Sequence, residues 1–171
     1  MIRQLLAALT LTLPIPVTGA MAQAPAAPVT VFVVRHAEKG PENPDPSLTA
    51  KGQQRAQTLV QVLGEARISA TFASEFKRAQ ETVAPLAAGG GLTTQVIPAV
   101  AVDSLVRRLR ALPPGSRAVV ASHSNLVHLI VEKLSGVRLT PLTEADYDRL
   151  MVVTVWPDGR GEVVVLRYGE R

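Results

Sequence analysis

The chain has 171 residues, of which 47% are hydrophobic, so it is long and apolar enough for one folded domain and is not intrinsically disordered. Cysteine is absent and histidine occurs three times, which excludes disulfides, thiolate metal sites and cysteine nucleophiles and leaves too few histidines for a histidine-rich metal cluster. The net charge is +4, and the one basic cluster, residues 107–110, lacks interleaved aromatic residues, so we expect no nucleic-acid partner.

Residues 1–22 have the pattern of a secretory signal peptide. Arg3 gives a positively charged start, an apolar run covers residues 5–17, and small residues precede the expected cleavage site after Ala22 or Ala24. We therefore expect a periplasmic or secreted protein without stable membrane insertion after cleavage; a retained membrane anchor is the alternative. Loss of Arg3 leaves 17 Lys and Arg against 14 Asp and Glu, a net charge of +3.

The domain is expected to span residues 29–171, after a Pro/Ala linker at residues 23–28. Residues 29–34 are mostly β-branched and apolar, which is typical of a strand buried on both faces. Strand and helix patterns then alternate along the chain. Further strands are predicted at 68–73, 94–97 and 117–121, helices at about 49–64, 74–88, 102–109 and 126–136, and a terminal β-hairpin at 150–156 and 162–168.

This alternation predicts an α/β fold. We expect a three-layer sandwich with a mostly parallel central sheet, helices on both faces, and the C-terminal β-hairpin at the edge. The carboxyl ends of parallel strands meet at one edge of such a sheet, and that edge is where ligands bind in open α/β folds.

Three of these strand ends are followed by cationic or imidazole side chains. Arg35 and His36 follow the first strand, Arg78 comes shortly after the second, and His123 follows the fourth. Guanidinium groups match phosphate oxygens through paired, charge-assisted hydrogen bonds, and the helix that begins near Asn125 would add its positive end. The pattern predicts a pocket for a phosphate dianion.

Four segments, in this order, resemble those of the histidine phosphatase superfamily, which has the phosphoglycerate-mutase-like fold. Residues 33–38 resemble its Arg-His-Gly motif, although Ala37 stands in the glycine position. Residues 48–56 resemble its Leu-Thr-x-x-Gly-x-x-x-Ala segment, and residues 74–82 its Ser-x-x-x-Arg-Ala-x-x-Thr segment. Residues 122–125 resemble its Gly-His-Ser/Gly segment, with serine in place of the glycine.

The resemblance implies a phosphatase that needs neither metal nor cofactor. His36 would become phosphorylated, while Arg35, Arg78 and His123 would hold the phosphate of a small phosphorylated substrate. A phosphohistidine-protein phosphatase is an alternative, against which the export signal counts. A non-catalytic phosphate-binding module of the cell envelope is another. A mutase is disfavoured by the short chain and by a missing glutamate.

In the family, the missing glutamate would be the residue that donates a proton to the leaving group. Many members of the family carry a glutamate between the second arginine and the second histidine, but Asp103 is the only carboxylate between Glu81 and His123 here. Asp103 is our first candidate donor, and its alternative role is to complement a helix dipole. Glu38 is the second candidate, and it could instead form an ion pair with Lys39.

Overall fold

The computed structural model describes residues 26–41 and 44–170. The predicted signal peptide and the first part of the linker lie outside these residues. No helix within the two described ranges is long and apolar enough to cross a membrane. The strands are β1 Val29–Arg35, β2 Ala70–Ala73, β3 Gln95–Val96, β4 Arg117–Ser122, β5 Arg149–Val155 and β6 Gly161–Arg167; the helices are α1 Ala50–Leu63, α2 Lys77–Gly89, α3 Val102–Arg110 and α4 Ser124–Ser135, with a 3-10 turn at Gly64–Ala66.

The strands form one mixed sheet in the order β3-β2-β4-β1-β5-β6, which confirms the predicted α/β fold. Strands β1 to β4 run parallel, whereas β5 and β6 form the antiparallel C-terminal hairpin at the edge. Strand β4 lies between β1 and β2, so Arg35 pairs with Ser122 in register and Ala73 pairs with Ala121. The ends of these three strands therefore meet at one edge of the sheet.

Both faces of the sheet are covered by helices. Successive side chains of a strand point to opposite faces, so Val31 and Val33 pack in the apolar layer that contains α3 and α4, while Val34 packs in the layer that contains α1 and α2. All three valines are fully buried. This explains why β1 is mostly apolar on both faces rather than alternating between apolar and polar residues.

Helix α1 begins where the sequence predicts, with Thr49 as its N-cap. The Thr49 side chain accepts a hydrogen bond from the backbone N–H of Gly52 at 3.1 Å, and the Thr49 N–H donates to the Glu38 carbonyl at 2.9 Å. Gly52 also lies against that carbonyl, because an added Cβ would stand 2.2 Å from the Glu38 oxygen. The first turn of α1 is thus packed directly on the loop that follows β1.

We expect Gly52→Ala to destabilise the protein by about 1–3 kcal/mol, because the new methyl group overlaps a backbone atom that has no room to move aside. Urea unfolding monitored by circular dichroism measures this effect. Gly64→Ala is the matched control: the site is open and has helical dihedral angles, so we expect no loss and a gain of up to about 1 kcal/mol. Equal unfolding midpoints for the two variants would contradict the close packing of α1 on the loop.

Candidate active site

A cavity of about 370 Å³ opens at the edge of the sheet where β1 and β4 end. It brings together the four cationic or imidazole side chains predicted from the strand ends, Arg35, His36, Arg78 and His123. The other lining residues come from the loops after the strands, from the first turn of α4, and from the segment between α4 and β5: Lys39, Phe76, Ala99, Val100, Ser124, Asn125, Leu126 and Glu144.

His36 is buried, with 3% of its surface exposed. Its ring Nδ1 lies 2.8 Å from the carbonyl oxygen of Ala37, so Nδ1 carries the proton and donates it to that carbonyl. The other ring nitrogen, Nε2, then bears a lone pair. The ring stands edge-on to that of His123, with centroids 5.4 Å apart. His36 is therefore held in the tautomer that a nitrogen nucleophile requires.

The electrostatics of the cavity keep both imidazoles neutral. Burial lowers the pKa of His36 to about 3, and the charge of Arg35 adds to this effect, although the Ala37 carbonyl opposes it. Burial and the charge of Arg78 lower the pKa of His123 to about 4. At neutral pH the cavity thus has cationic guanidinium groups and uncharged imidazoles.

The loop that carries His36 is fixed by buried backbone contacts. The His36 N–H donates to the Ser122 carbonyl at 2.8 Å, and the Ala37 N–H donates to the Thr82 hydroxyl at 2.9 Å. The Thr82 hydroxyl in turn donates to the Arg78 carbonyl at 2.6 Å. Thr82 therefore joins the loop after β1 to helix α2, which carries Arg78.

Arg35 is the most deeply placed cation of the cavity, with 1% of its surface exposed. Its Nη1 donates to the Thr143 carbonyl at 2.8 Å, and its Nη2 lies 2.6 Å from a Glu144 carboxylate oxygen. The guanidinium also lies over the Tyr147 ring, 4.1 Å from its centroid. These three partners come from the segment between α4 and β5, to which sequence reasoning gave no function.

Arg78 lies in the first turn of α2, over the ring of Phe76 at 4.4 Å. Its Nη1 is 3.7 Å from the Asp45 carboxylate. The Nε atoms of Arg35 and Arg78 are both buried, and neither has a hydrogen-bond partner within the part of the chain that the structure describes. Two unpaired guanidinium donors at one cavity suit an anion with several oxygen atoms, such as phosphate.

His123 is the last residue before α4, and its Nε2 lies 2.9 Å from the Ser74 hydroxyl. Ser74 thereby links the end of β2 to the end of β4. The first residues of α4, Ser124 and Asn125, line the cavity, so the positive end of the helix faces it as predicted.

The structure does not bring the two predicted proton donors to this cavity. Asp103 is exposed on α3, where Lys133 lies 2.8 Å from its carboxylate and lowers its pKa. Both carboxylate oxygens of Glu38 are bound by Arg55, at 2.8 and 2.9 Å. Burial opposes ionisation of Glu38, but its pKa is lowered because the bonds and charge of Arg55 outweigh this. Neither carboxylate lines the cavity, and each already serves an ion pair.

The two neutral histidines predict a loss of stability in mild acid. Unfolded histidines titrate near 6.5, whereas His36 and His123 resist protonation down to about 3 and 4 in the folded protein. The unfolded chain therefore binds more protons below pH 6.5, and the free energy of unfolding falls as the pH is lowered. Between pH 7.5 and 5 we expect a loss of about 2 kcal/mol for each histidine.

Urea unfolding at these two pH values measures the effect. A His36→Asn/His123→Asn double variant separates the contribution of these histidines from that of other titrating groups. Its free energy of unfolding should fall less between pH 7.5 and 5 than that of the unsubstituted protein. The same pH dependence in both proteins would contradict neutral, buried imidazoles.

The profile of the histidine phosphatase superfamily (branch 1) matches residues 31–101. This range includes Arg35, His36, helix α1 and Arg78. This match covers fewer than half of the 171 residues and, together with the fold and the order of the motifs, supports a similarity to the histidine phosphatase superfamily. No curated protein sequence matches the chain.

Several solved structures share this fold. The protein histidine phosphatase SixA in complex with tungstate is 22% identical with a TM-score of 0.68, over 81% of this chain and 96% of that one. The mycobacterial glucosyl-3-phosphoglycerate phosphatase is 14% identical with a TM-score of 0.64, over 82% and 99% of the two chains. Phosphoglycerate mutase from Plasmodium falciparum is 17% identical with a TM-score of 0.58, over 84% and 91%. At these identities the likeness concerns the fold.

Proposed function

We propose that the protein is a metal-independent phosphatase that hydrolyses phosphomonoesters or related phosphorylated compounds through a phosphohistidine at His36. The observation that carries this proposal is the state of His36. Its ring is neutral and held by the Ala37 carbonyl, and it stands in a cavity with two guanidinium groups that have unpaired donors.

In the first step Nε2 of His36 attacks phosphorus and forms a P–N bond. The P–O bond to the leaving group breaks, and its electron pair leaves with the oxygen, which takes up a proton. Arg35, Arg78 and His123 surround the phosphoryl oxygens and stabilise their charge through the transition state. The positive charges of Arg35 and Arg78 provide this stabilisation, so the step has no need of a metal ion.

In the second step water attacks the phosphohistidine. Its oxygen bonds to phosphorus, the P–N bond breaks, and the electron pair returns to Nε2, so that the neutral imidazole and inorganic phosphate are formed. The division of one displacement into two leaves a covalent intermediate that is open to direct detection.

The cavity suits a small phosphorylated molecule, since its volume of about 370 Å³ is near the lower end of the range for ligand pockets. The N-terminal pattern supports export, so we place the substrate among the phosphorylated compounds of the periplasm or the medium.

A phosphatase panel on the purified protein tests the proposal. It includes p-nitrophenyl phosphate, an alkyl phosphate and a phosphohistidine-containing protein, and rapid quenching at alkaline pH traps the intermediate for mass spectrometry. We expect turnover of the small esters and phosphate located on His36. Turnover without a phosphorylated histidine would refute the mechanism, and tungstate binding without any turnover would instead indicate a phosphate-binding module.

A further inference from the structure

Glu144 is an unassigned carboxylate at the cavity. Among the described residues that line it, Glu144 is the only one with a carboxyl group. One carboxylate oxygen lies 2.6 Å from Arg35 Nη2, and the other accepts a hydrogen bond from the Ser124 hydroxyl at 2.8 Å. The side chain is nevertheless 77% exposed, so the group is anchored at two points but remains open to solvent and to a ligand.

The position of Glu144 relative to His36 is the second part of the argument. An in-line displacement requires the nucleophile and the leaving oxygen to lie on opposite sides of phosphorus. His36 lines the cavity and is buried, so an in-line leaving group would point away from it toward solvent. Glu144 lines the same cavity and is exposed to solvent, whereas Asp103 and Glu38 are held in ion pairs outside the cavity lining.

Substrate binding would change the protonation of Glu144. Without a ligand, the Ser124 hydroxyl and the charge of Arg35 lower the pKa of Glu144, so the carboxyl group is ionised. A phosphate dianion bound to Arg35 would weaken the attraction between that guanidinium and the Glu144 carboxylate. It would also place two negative charges beside the carboxylate. Like charges favour the protonated form, so the carboxyl group is expected to take up a proton as the substrate binds.

We propose that Glu144 is the proton donor of the leaving group; this assignment rests on the proposed phosphatase function. While the P–N bond to His36 forms and the P–O bond breaks, the carboxyl proton passes to the departing oxygen, which leaves as an alcohol. In the second step the resulting carboxylate accepts a proton from the attacking water as the P–N bond breaks. The carboxyl group is thereby restored and phosphate is released.

Glu144→Gln tests this role, because glutamine has nearly the same shape but has no proton to transfer. For an alkyl phosphate, whose leaving group needs a proton, we expect kcat/KM to fall by about a hundredfold or more. For p-nitrophenyl phosphate, whose leaving group is stable as an anion, we expect a change within about threefold. Asp103→Asn is the matched control, and it should leave the ratio of the two values unchanged.

Proton uptake on ligand binding is the second readout. Calorimetry with tungstate in buffers of different ionisation enthalpy counts the protons taken up, and this count should be larger in the unsubstituted protein than in Glu144→Gln. Equal effects of Glu144→Gln on both substrates, no effect on either, or an unchanged proton count would overturn the proposal. If the unsubstituted protein has no turnover, the proposed function fails, and the proton count with tungstate still decides whether Glu144 becomes protonated.

Discussion

Replacement of His36 by glutamine is expected to lower phosphatase turnover by at least about four orders of magnitude, because loss of a nucleophile removes the covalent route altogether. Glutamine retains an amide group that can reach the Ala37 carbonyl, so the loop should keep its position. The measurement is kcat on p-nitrophenyl phosphate, together with mass spectrometry of the quenched enzyme, which should show no phosphorylated histidine.

His128→Gln is the matched control for that variant. His128 lies on α4, is partly buried and does not line the cavity, so we expect nearly normal turnover from this control. Tungstate should still bind to the His36→Gln protein, since both guanidinium groups remain in place. Retention of more than about one hundredth of the activity in His36→Gln would show that another group attacks phosphorus.

Replacement of Arg35 by methionine is expected to lower kcat/KM by about a thousandfold, which is the scale measured when one preorganised donor to a transition-state oxygen is removed. The side chain is almost fully buried, lines the cavity and has an Nε without a hydrogen-bond partner among the described residues. Methionine fills much of the same space without charge or donors. Steady-state kinetics on an aryl phosphate and the affinity for tungstate should both record the loss.

Arg107→Met controls for the removal of one positive charge from the protein. Arg107 is exposed on α3 and lies outside the cavity lining, so its loss should change kcat/KM by no more than about threefold, the scale of a long-range charge effect in salt. If kcat/KM of the Arg35→Met protein fell by less than about tenfold, Arg35 would not bind the phosphoryl group in the transition state.

The fold and the centre of the site could be predicted because their signals are local. The apolar run of β1 identifies a central strand, and Thr49 marks the start of α1. The rule that parallel strands end at one edge then places His36 and His123 together, and their rings do lie 5.4 Å apart. These inferences need only short stretches of sequence and a general property of parallel sheets.

The partners of the site could not be predicted, because they depend on how distant segments pack. Glu38 was expected to act as a donor or to pair with the adjacent Lys39, but it binds Arg55, which α1 brings into reach. Arg35 meets Glu144 across a separation of 109 residues. The segment that carries Glu144 has neither helical nor strand periodicity, and it runs from the left-handed C-cap at Gly136 to the start of β5.

The order of the strands has a consequence for how the protein folds. Among the residues that the structure describes, strand β1 pairs with β4 and β5 alone, and both of these belong to the second half of the chain. The strand that carries Arg35 and leads to His36 therefore has no neighbour in the sheet until most of the chain has been synthesised. Such distant pairings are slow to form, because a long loop must close before any contact compensates for the lost entropy. An unfinished chain thus lacks this cavity, and the phosphatase activity proposed above would report only those molecules in which folding is complete.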